Sequence, residues 1–124
     1  MNDAEIREIE TRSANLFADH LKAINEGDLN TARSHLFIPE RGAGRSIETY
    51  LKAMMDLRLF HLLSSRVKRF EDVRPKAHGV VATVWLEVVV RCLLGEKTTD
   101  IGIWWFPETN RYCISARPTQ WVLE

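Results

Sequence analysis

Histidine is the side chain of this protein best able to do acid–base chemistry near neutral pH, and two of its four copies stand out by position. His20 lies in a stretch from Asn2 to Glu26 whose residues Ile6, Ile9, Leu16, Phe17, Leu21 and Ile24 recur at helical spacing. At about 100° per residue these form one stripe. His20 and Ser13 project into it, and Asn15 projects opposite. An inward imidazole without a hydrogen-bond partner costs roughly 1–3 kcal/mol. His20 therefore requires either a structural partner in the core or a wet internal cavity, and the sequence leaves both open. His61 is the second candidate, just after a third amphipathic stretch. A neutral imidazole can take or give a proton, as dehydration, epimerisation or cyclisation of a carbonyl compound requires. The structural alternative is that each ring bonds one backbone carbonyl and does nothing more.

Around these two residues the sequence suggests a set. If His20 and His61 border one internal pocket, both imidazoles could reach one ligand, with Phe17, Leu57, Phe60 and Trp104 as lining. Arg58 could anchor a carboxylate or enolate oxygen, or reach solvent along its apolar stem. Trp104 and Trp105 are adjacent in a strand and face opposite ways, one towards the interior and one towards an outer surface. His35 and His78 read as surface residues of a short helix and a turn. No His-x-His or Glu-x-x-His spacing suggests a metal, and no Gly-x-Ser-x-Gly, phosphate loop or dinucleotide fingerprint suggests a cofactor. The expectation is a site without metal or cofactor.

The elements that must position these residues are legible as patterns. Asn2 or Asp3 caps the first helix, with Glu5 in capping-box position, and Asn25-Glu26-Gly27 ends it with glycine in the left-handed region. Asp28 caps a short second helix with Leu29, Ala32, Leu36 and Phe37 on one face, stopped by Pro39. Residues 41–45 read as a connector. Ser46 caps a third helix with Ile47, Tyr50, Leu51, Met54 and Leu57 inward. From about Leu62 the signal turns to strand, and Pro75 ends the first of them. Val80 to Cys92 alternates with period two: Val84, Leu86, Val88 and Val90 lie on one face, and Trp85, Glu87, Val89 and Arg91 on the other. Gly95-Glu96-Lys97 marks a turn, Thr98–Phe106 a strand and Pro107–Asn110 a hairpin loop; Arg111–Arg117 and Gln120–Leu123 then close the sheet.

Helices first and a meander afterwards predict an α+β fold, three helices packed on one face of a curved antiparallel sheet, as one domain over residues 1–124. The apolar face of Val80–Cys92 should meet the helices. Its other face is too apolar for free solvent, and it suits a twofold homodimer with Trp85 as anchor and Glu87 and Arg91 as rim. Composition narrows the function classes. Seventeen basic residues balance seventeen acidic ones, so no global field recruits nucleic acid or a membrane. The N-terminal residues do not read as a signal peptide, no apolar run is long enough to span a bilayer, and Cys92 and Cys113 read as reduced thiols; a cytoplasmic protein is expected.

Two segments resemble a known family. His20-Leu-Lys-Ala-Ile-Asn-Glu-Gly-Asp-Leu29 resembles the helix-one ending of the nuclear transport factor 2-like superfamily, in particular its SnoaL-like branch. His61-Leu-Leu-Ser-Ser-Arg-Val67 is similar to the His-x-x-Ser-Asn segment of that branch and of the small subunits of aromatic-ring dioxygenases, with Ser65 in place of the asparagine. The resemblance implies a cone-shaped fold with a pocket at its wide end, homodimerisation through the sheet, and a catalytic histidine at position 61, which would be the general base with His20 as donor to a developing oxyanion. It allows a cofactor-independent lyase, isomerase or cyclase acting on a small apolar or carbonyl substrate. A non-catalytic small subunit or an interaction scaffold is the alternative. The ketosteroid isomerase pattern is not carried: His20 stands at the tyrosine position, the segment Phe37-Ile-Pro-Glu-Arg-Gly42 is shortened with no aspartate following, and Ile101-Gly102-Ile103 holds nothing acidic.

Overall fold

Asn2 starts the first helix: its side chain accepts a hydrogen bond from Glu5 N at 2.8 Å and satisfies an otherwise orphaned amide. In the computed structural model, which describes residues 1–38, 44–76 and 79–115, this helix is α1, Asp3–Asn25. It ends in a Schellman turn. Asp28 N donates to Ala23 O, Gly27 N donates to Ile24 O, and Gly27 takes φ +77° where an L side chain would be strained. Asp28 then caps α2, Leu29–Ser34, by accepting from Thr31 N and from the Thr31 hydroxyl.

The helix expected to reach Phe37 stops at Ser34 because the sheet takes over its hydrogen bonds. Ile114 N donates to His35 O, and Phe37 N donates to Ile114 O. Leu36 thereby forms a parallel bridge to Ile114, covering an edge that would otherwise present unpaired backbone groups. The third helix, α3, spans Gly44–Asp56 and starts two residues before the expected cap at Ser46. Ile47, Tyr50, Leu51 and Met54 are buried, as the spacing predicts.

Four antiparallel strands follow in simple meander order among the described residues: β1 His61–Lys76, β2 Gly79–Cys92, β3 Gly95–Phe106 and β4 Arg111–Ile114. β1 runs through Pro75, which an edge strand tolerates. Three register shifts along it, near Leu63, Lys68 and Asp72, let the long strand bend. The β2–β3 turn is Leu93-Leu94, closed by Gly95 at φ +101°, so the expected turn at residues 95–97 belongs to β3. Arg117, the segment 120–123, Pro39, residues 41–43 of the expected connector and His78 lie outside the described residues, and residues 44–45 of that connector begin α3.

The register of β2 is as the alternation predicts. Val84, Leu86, Val88 and Val90 join Ile101, Ile103 and Ile114 in one core with Phe17, Leu21 and Ile24 of α1 and Ile47, Leu51 and Met54 of α3. Each such side chain contributes roughly 1.5–3 kcal/mol on burial. The opposite face carries Trp85, Glu87, Asp100 and Trp104. Arg66–Glu87 (2.8 Å), Lys68–Asp100 (2.9 Å) and Arg69–Glu71 (3.0 Å) form ion pairs there. These are solvent-facing and hold side chains in place more than they stabilise the fold. Cys92 and Cys113 are free thiols, and burial pushes Cys113 up to about 11. None of the described helices is long and apolar enough to cross a membrane.

Candidate functional site

The helices bring three ring side chains together inside the core. His20, on the buried face of α1, has no exposed surface. Its Nε2 lies 2.7 Å from the hydroxyl of Tyr50, a fully buried residue of α3, and the two rings are nearly parallel at 5°. His35, which caps the end of α2, sets its ring edge-on to His20 with centroids 5.5 Å apart. The chain leaves α2 one turn early, and the bonds from His35 O and Phe37 N to Ile114 turn His35 inward. A residue expected on the surface is therefore half-buried against the central imidazole.

Tyr50 is a reasonable partner because a buried phenol needs one itself. With the proton on Nδ1, Tyr50 donates to Nε2; with the proton on Nε2, that nitrogen donates to the Tyr50 oxygen. His20 Nδ1 and His35 Nδ1 are both buried without a well-formed hydrogen bond, the Ala32 carbonyl standing within reach of the His20 ring. Two unsatisfied imidazole nitrogens this close together are unusual in a protein interior. Burial first, and the neighbouring His35 second, lower His20 from its ordinary 6.5 to about 3. The Ala32 carbonyl opposes that shift without completing a hydrogen bond to Nδ1. His35 is also lowered by burial, against the pull of Asp19 and Asp28. Near pH 7 His20 is thus neutral. It can donate or accept a hydrogen bond but is a poor proton acceptor for catalysis.

The other predicted site residues divide by face and by depth. Phe17 and Phe60 are buried in the same core as His20, and Leu57 is half-buried against it. α3 stops at Asp56, so Arg58 lies beyond the helix and is exposed. His61 opens β1, is exposed, and pairs in register with Arg91. The polar contact of His20 is to Tyr50 and its ring contacts are to Tyr50 and His35, not to His61. Of the two tryptophans, Trp105 takes the helix side, with its Nε1 donating to Asn110. Trp104 takes the outer face and packs against Phe37 (5.2 Å) and Phe106 (6.2 Å).

Asn25 connects the helix layer to His61. Its Oδ1 accepts from Leu59 N (3.0 Å) and Phe60 N (2.8 Å), and its Nδ2 donates to Phe60 O (2.9 Å). One side chain thus fixes the backbone that leads into β1, holding Leu59 at φ +81°. Tyr50, His35 and Asn25 are not among the site residues expected from the sequence, which reads them as core, surface and helix end. Tyr50 carried a usable signal, a hydroxyl inside an apolar stripe. His35 and Asn25 carried none, because their partners are fixed only by where α2 and α3 end. No group of three or more His, Cys, Asp or Glu residues among those described could hold a metal ion. Comparison of the chain with family models, characterised proteins and solved structures gives no match, so its chemistry is argued from these residues.

Proposed function

We propose that this chain is a small-molecule-binding protein of the nuclear transport factor 2-like, SnoaL-like kind, and that the His20–Tyr50–His35 cluster is its polar anchor. The observation carrying this is the pair of buried imidazole nitrogens that lack a well-formed hydrogen bond in a mainly apolar core. A ligand hydroxyl or carbonyl is the chemistry that would satisfy them, and the surrounding Phe17, Leu21 and Met54 would suit an apolar body. The order of helices followed by an antiparallel meander, with a bulged long strand, is compatible with a cone.

If the protein also turns its ligand over, the roles separate. Neutral His20 suits a hydrogen-bond donor to a developing oxyanion, as a depressed imidazole does. His61, from the start of β1, is the candidate base. A panel of small hydroxy and carbonyl compounds, read by thermal shift, should include members that raise the midpoint of the wild type. The same compounds should leave a His20→Leu/Tyr50→Phe variant unmoved. No difference between the two proteins across the panel rules the anchor out. Turnover lost in His61→Ala with affinity retained is the result that makes the protein an enzyme.

The outer sheet face supports self-association as part of the same reading. Gly102 lies beneath Trp85, and a Cβ there would stand 3.2 Å from its ring, so the indole lies flat across β3. With Trp104, Phe37 and Phe106 it makes an aromatic surface on the face away from the helices. Glu87 is engaged by Arg66 of its own chain, which leaves Trp85 as the principal anchor. Trp85→Arg should shift sedimentation towards monomer, since a large buried anchor typically accounts for more than ~2 kcal/mol of association. A wild type that is monomeric at high micromolar concentration excludes this interface.

A further inference from the structure

Four leucines are exposed at one end of the sheet. Leu93 and Leu94 form the β2–β3 turn at 74% and 69% exposure, Leu59 precedes β1 at 64%, and Leu63 sits in the first bulge of β1 at 42%. The register brings them to the same end: His61 pairs with Arg91 and Cys92 with Gly95, so the Leu93-Leu94 turn projects past the start of β1. Leu59 is the strained member. At φ +81° it occupies a region that glycine or asparagine adopts more cheaply, and Asn25 holds it there. Nothing in the core requires a leucine at that position, since its side chain points to solvent.

The charges beside these leucines differ from those on the rest of the sheet. Arg66, Lys68 and Arg69 each have a carboxylate partner. Arg58, adjacent to Leu59, and Arg91, at the base of the turn, are exposed and form no ion pair among the described residues. Glu96, the register partner of Arg91, Asp56, and Glu26 next to the Asn25 that holds Leu59 are the acids at this end, against Arg58, Arg91 and Lys97. The formal charges here balance, as they do over the whole chain, and what sets this end apart is that Arg58 and Arg91 are not held by a carboxylate.

We propose that this leucine tip is a membrane-contacting site that takes the surface of a bilayer carrying anionic lipid. The leucines sit on three separate protruding pieces of backbone rather than on one flat face. A rigid partner would need a matching set of holes, whereas a fluid interface conforms to protrusions. Inserted leucines would bury apolar surface, while Arg58 and Arg91 lay their stems along it and keep their guanidinium groups among the phosphates. Zero net charge gives no long-range attraction, so contact is driven by the leucines and sharpened by two arginines. Binding is accordingly weak and only modestly salt-sensitive.

The test is flotation of the full chain with vesicles of phosphatidylcholine containing about 30% phosphatidylserine, at millimolar lipid, beside pure phosphatidylcholine vesicles. The wild type should float with the anionic vesicles. Leu93→Asp/Leu94→Asp should lower the bound fraction at least about tenfold. Arg58→Gln and Arg91→Gln should each weaken anionic binding about fivefold and leave the neutral vesicles unaffected. Leu93→Ser/Leu94→Ser, checked by an unchanged melting curve, guards against a folding defect, and the exposure of both side chains leaves the core untouched. A wild type that never floats overturns the proposal, as does equal flotation of wild type and the leucine variants. Leucine-dependent self-association without lipid would also overturn it, because the tip would then be a contact between copies.

Discussion

Acidification from about pH 7.5 to about pH 4 is expected to remove several kcal/mol of folding stability from the wild type that a His20→Leu/Tyr50→Phe variant retains. The sign follows from the direction of the shift. His20 binds a proton at 6.5 when exposed and only near 3 when folded, so acid favours the unfolded chain. Its contribution is complete above 6.5 and is lost progressively as the pH falls towards 3. A depression of this size corresponds to about 5 kcal/mol at the acid limit. His35 titrates in the same direction, and Asp19 and Asp28 beside it work against that trend.

The double variant separates the imidazole from the protein's carboxylates, which titrate in both proteins. Replacing both hydrogen-bonded partners with apolar groups of similar volume is close to neutral near pH 7.5. Tyr50→Phe alone is not: it strips His20 Nε2 of its 2.7 Å partner in a fully buried site and should cost about 1–3 kcal/mol at the same pH. Urea unfolding at a series of pH values reads all three proteins. Parallel stability curves for the wild type and the double variant would mean that His20 is not desolvated in the folded state.

The part of this arrangement readable from sequence is the part fixed by periodicity. The inward position of His20 follows from the stripe of α1, and the inward faces of Val84, Leu86 and Val88 follow from strict alternation in β2. A one-residue slip there would have put Trp85 in the core. Capping chemistry was equally local: Asn2, Asp28 and Gly27 do what their types and spacing predict.

Where the chain chooses between two valid local structures, tertiary pairing decides. Residues 35–37 could continue a helix, but the edge of β4 needs partners, and that turned His35 from solvent towards His20. Leu93 and Leu94 look like strand residues by type. Gly95 makes them a turn, because its backbone adopts φ +101° at little cost. Residues 59–63 suit a helix end or a strand start equally well by type; β1 opens at His61, and nothing local states how deep that start lies, which is at the exposed surface.

Asn25→Ala is expected to destabilise the protein by about 2–4 kcal/mol, a large effect for a half-buried polar residue at a helix end. As a helix terminator it would matter little, since Gly27 supplies the left-handed turn and Asp28 N reaches Ala23 O without it. Its importance lies in the connection between α3 and β1, where one carboxamide satisfies two amides and a carbonyl. Alanine leaves the Phe60 N–H and C=O without that partner beside a ring that is only 4% exposed, and it frees Leu59 to relax from φ +81°. Relief of that strain offsets part of the loss, which sets the upper bound near 4 kcal/mol rather than higher. Asn25→Asp is the informative companion. It keeps the acceptor for Leu59 N and Phe60 N but turns the donor to Phe60 O into a repelling oxygen, so it should fall between wild type and alanine at neutral pH. Protonating the new carboxyl restores a donor, so its deficit relative to wild type should shrink as the pH is lowered towards about 4. Denaturant midpoints for the three proteins at two pH values decide the matter. An Asn25→Ala protein within about 0.5 kcal/mol of wild type would show that the α3–β1 connection is held by the burial of Phe60 and not by the clamp.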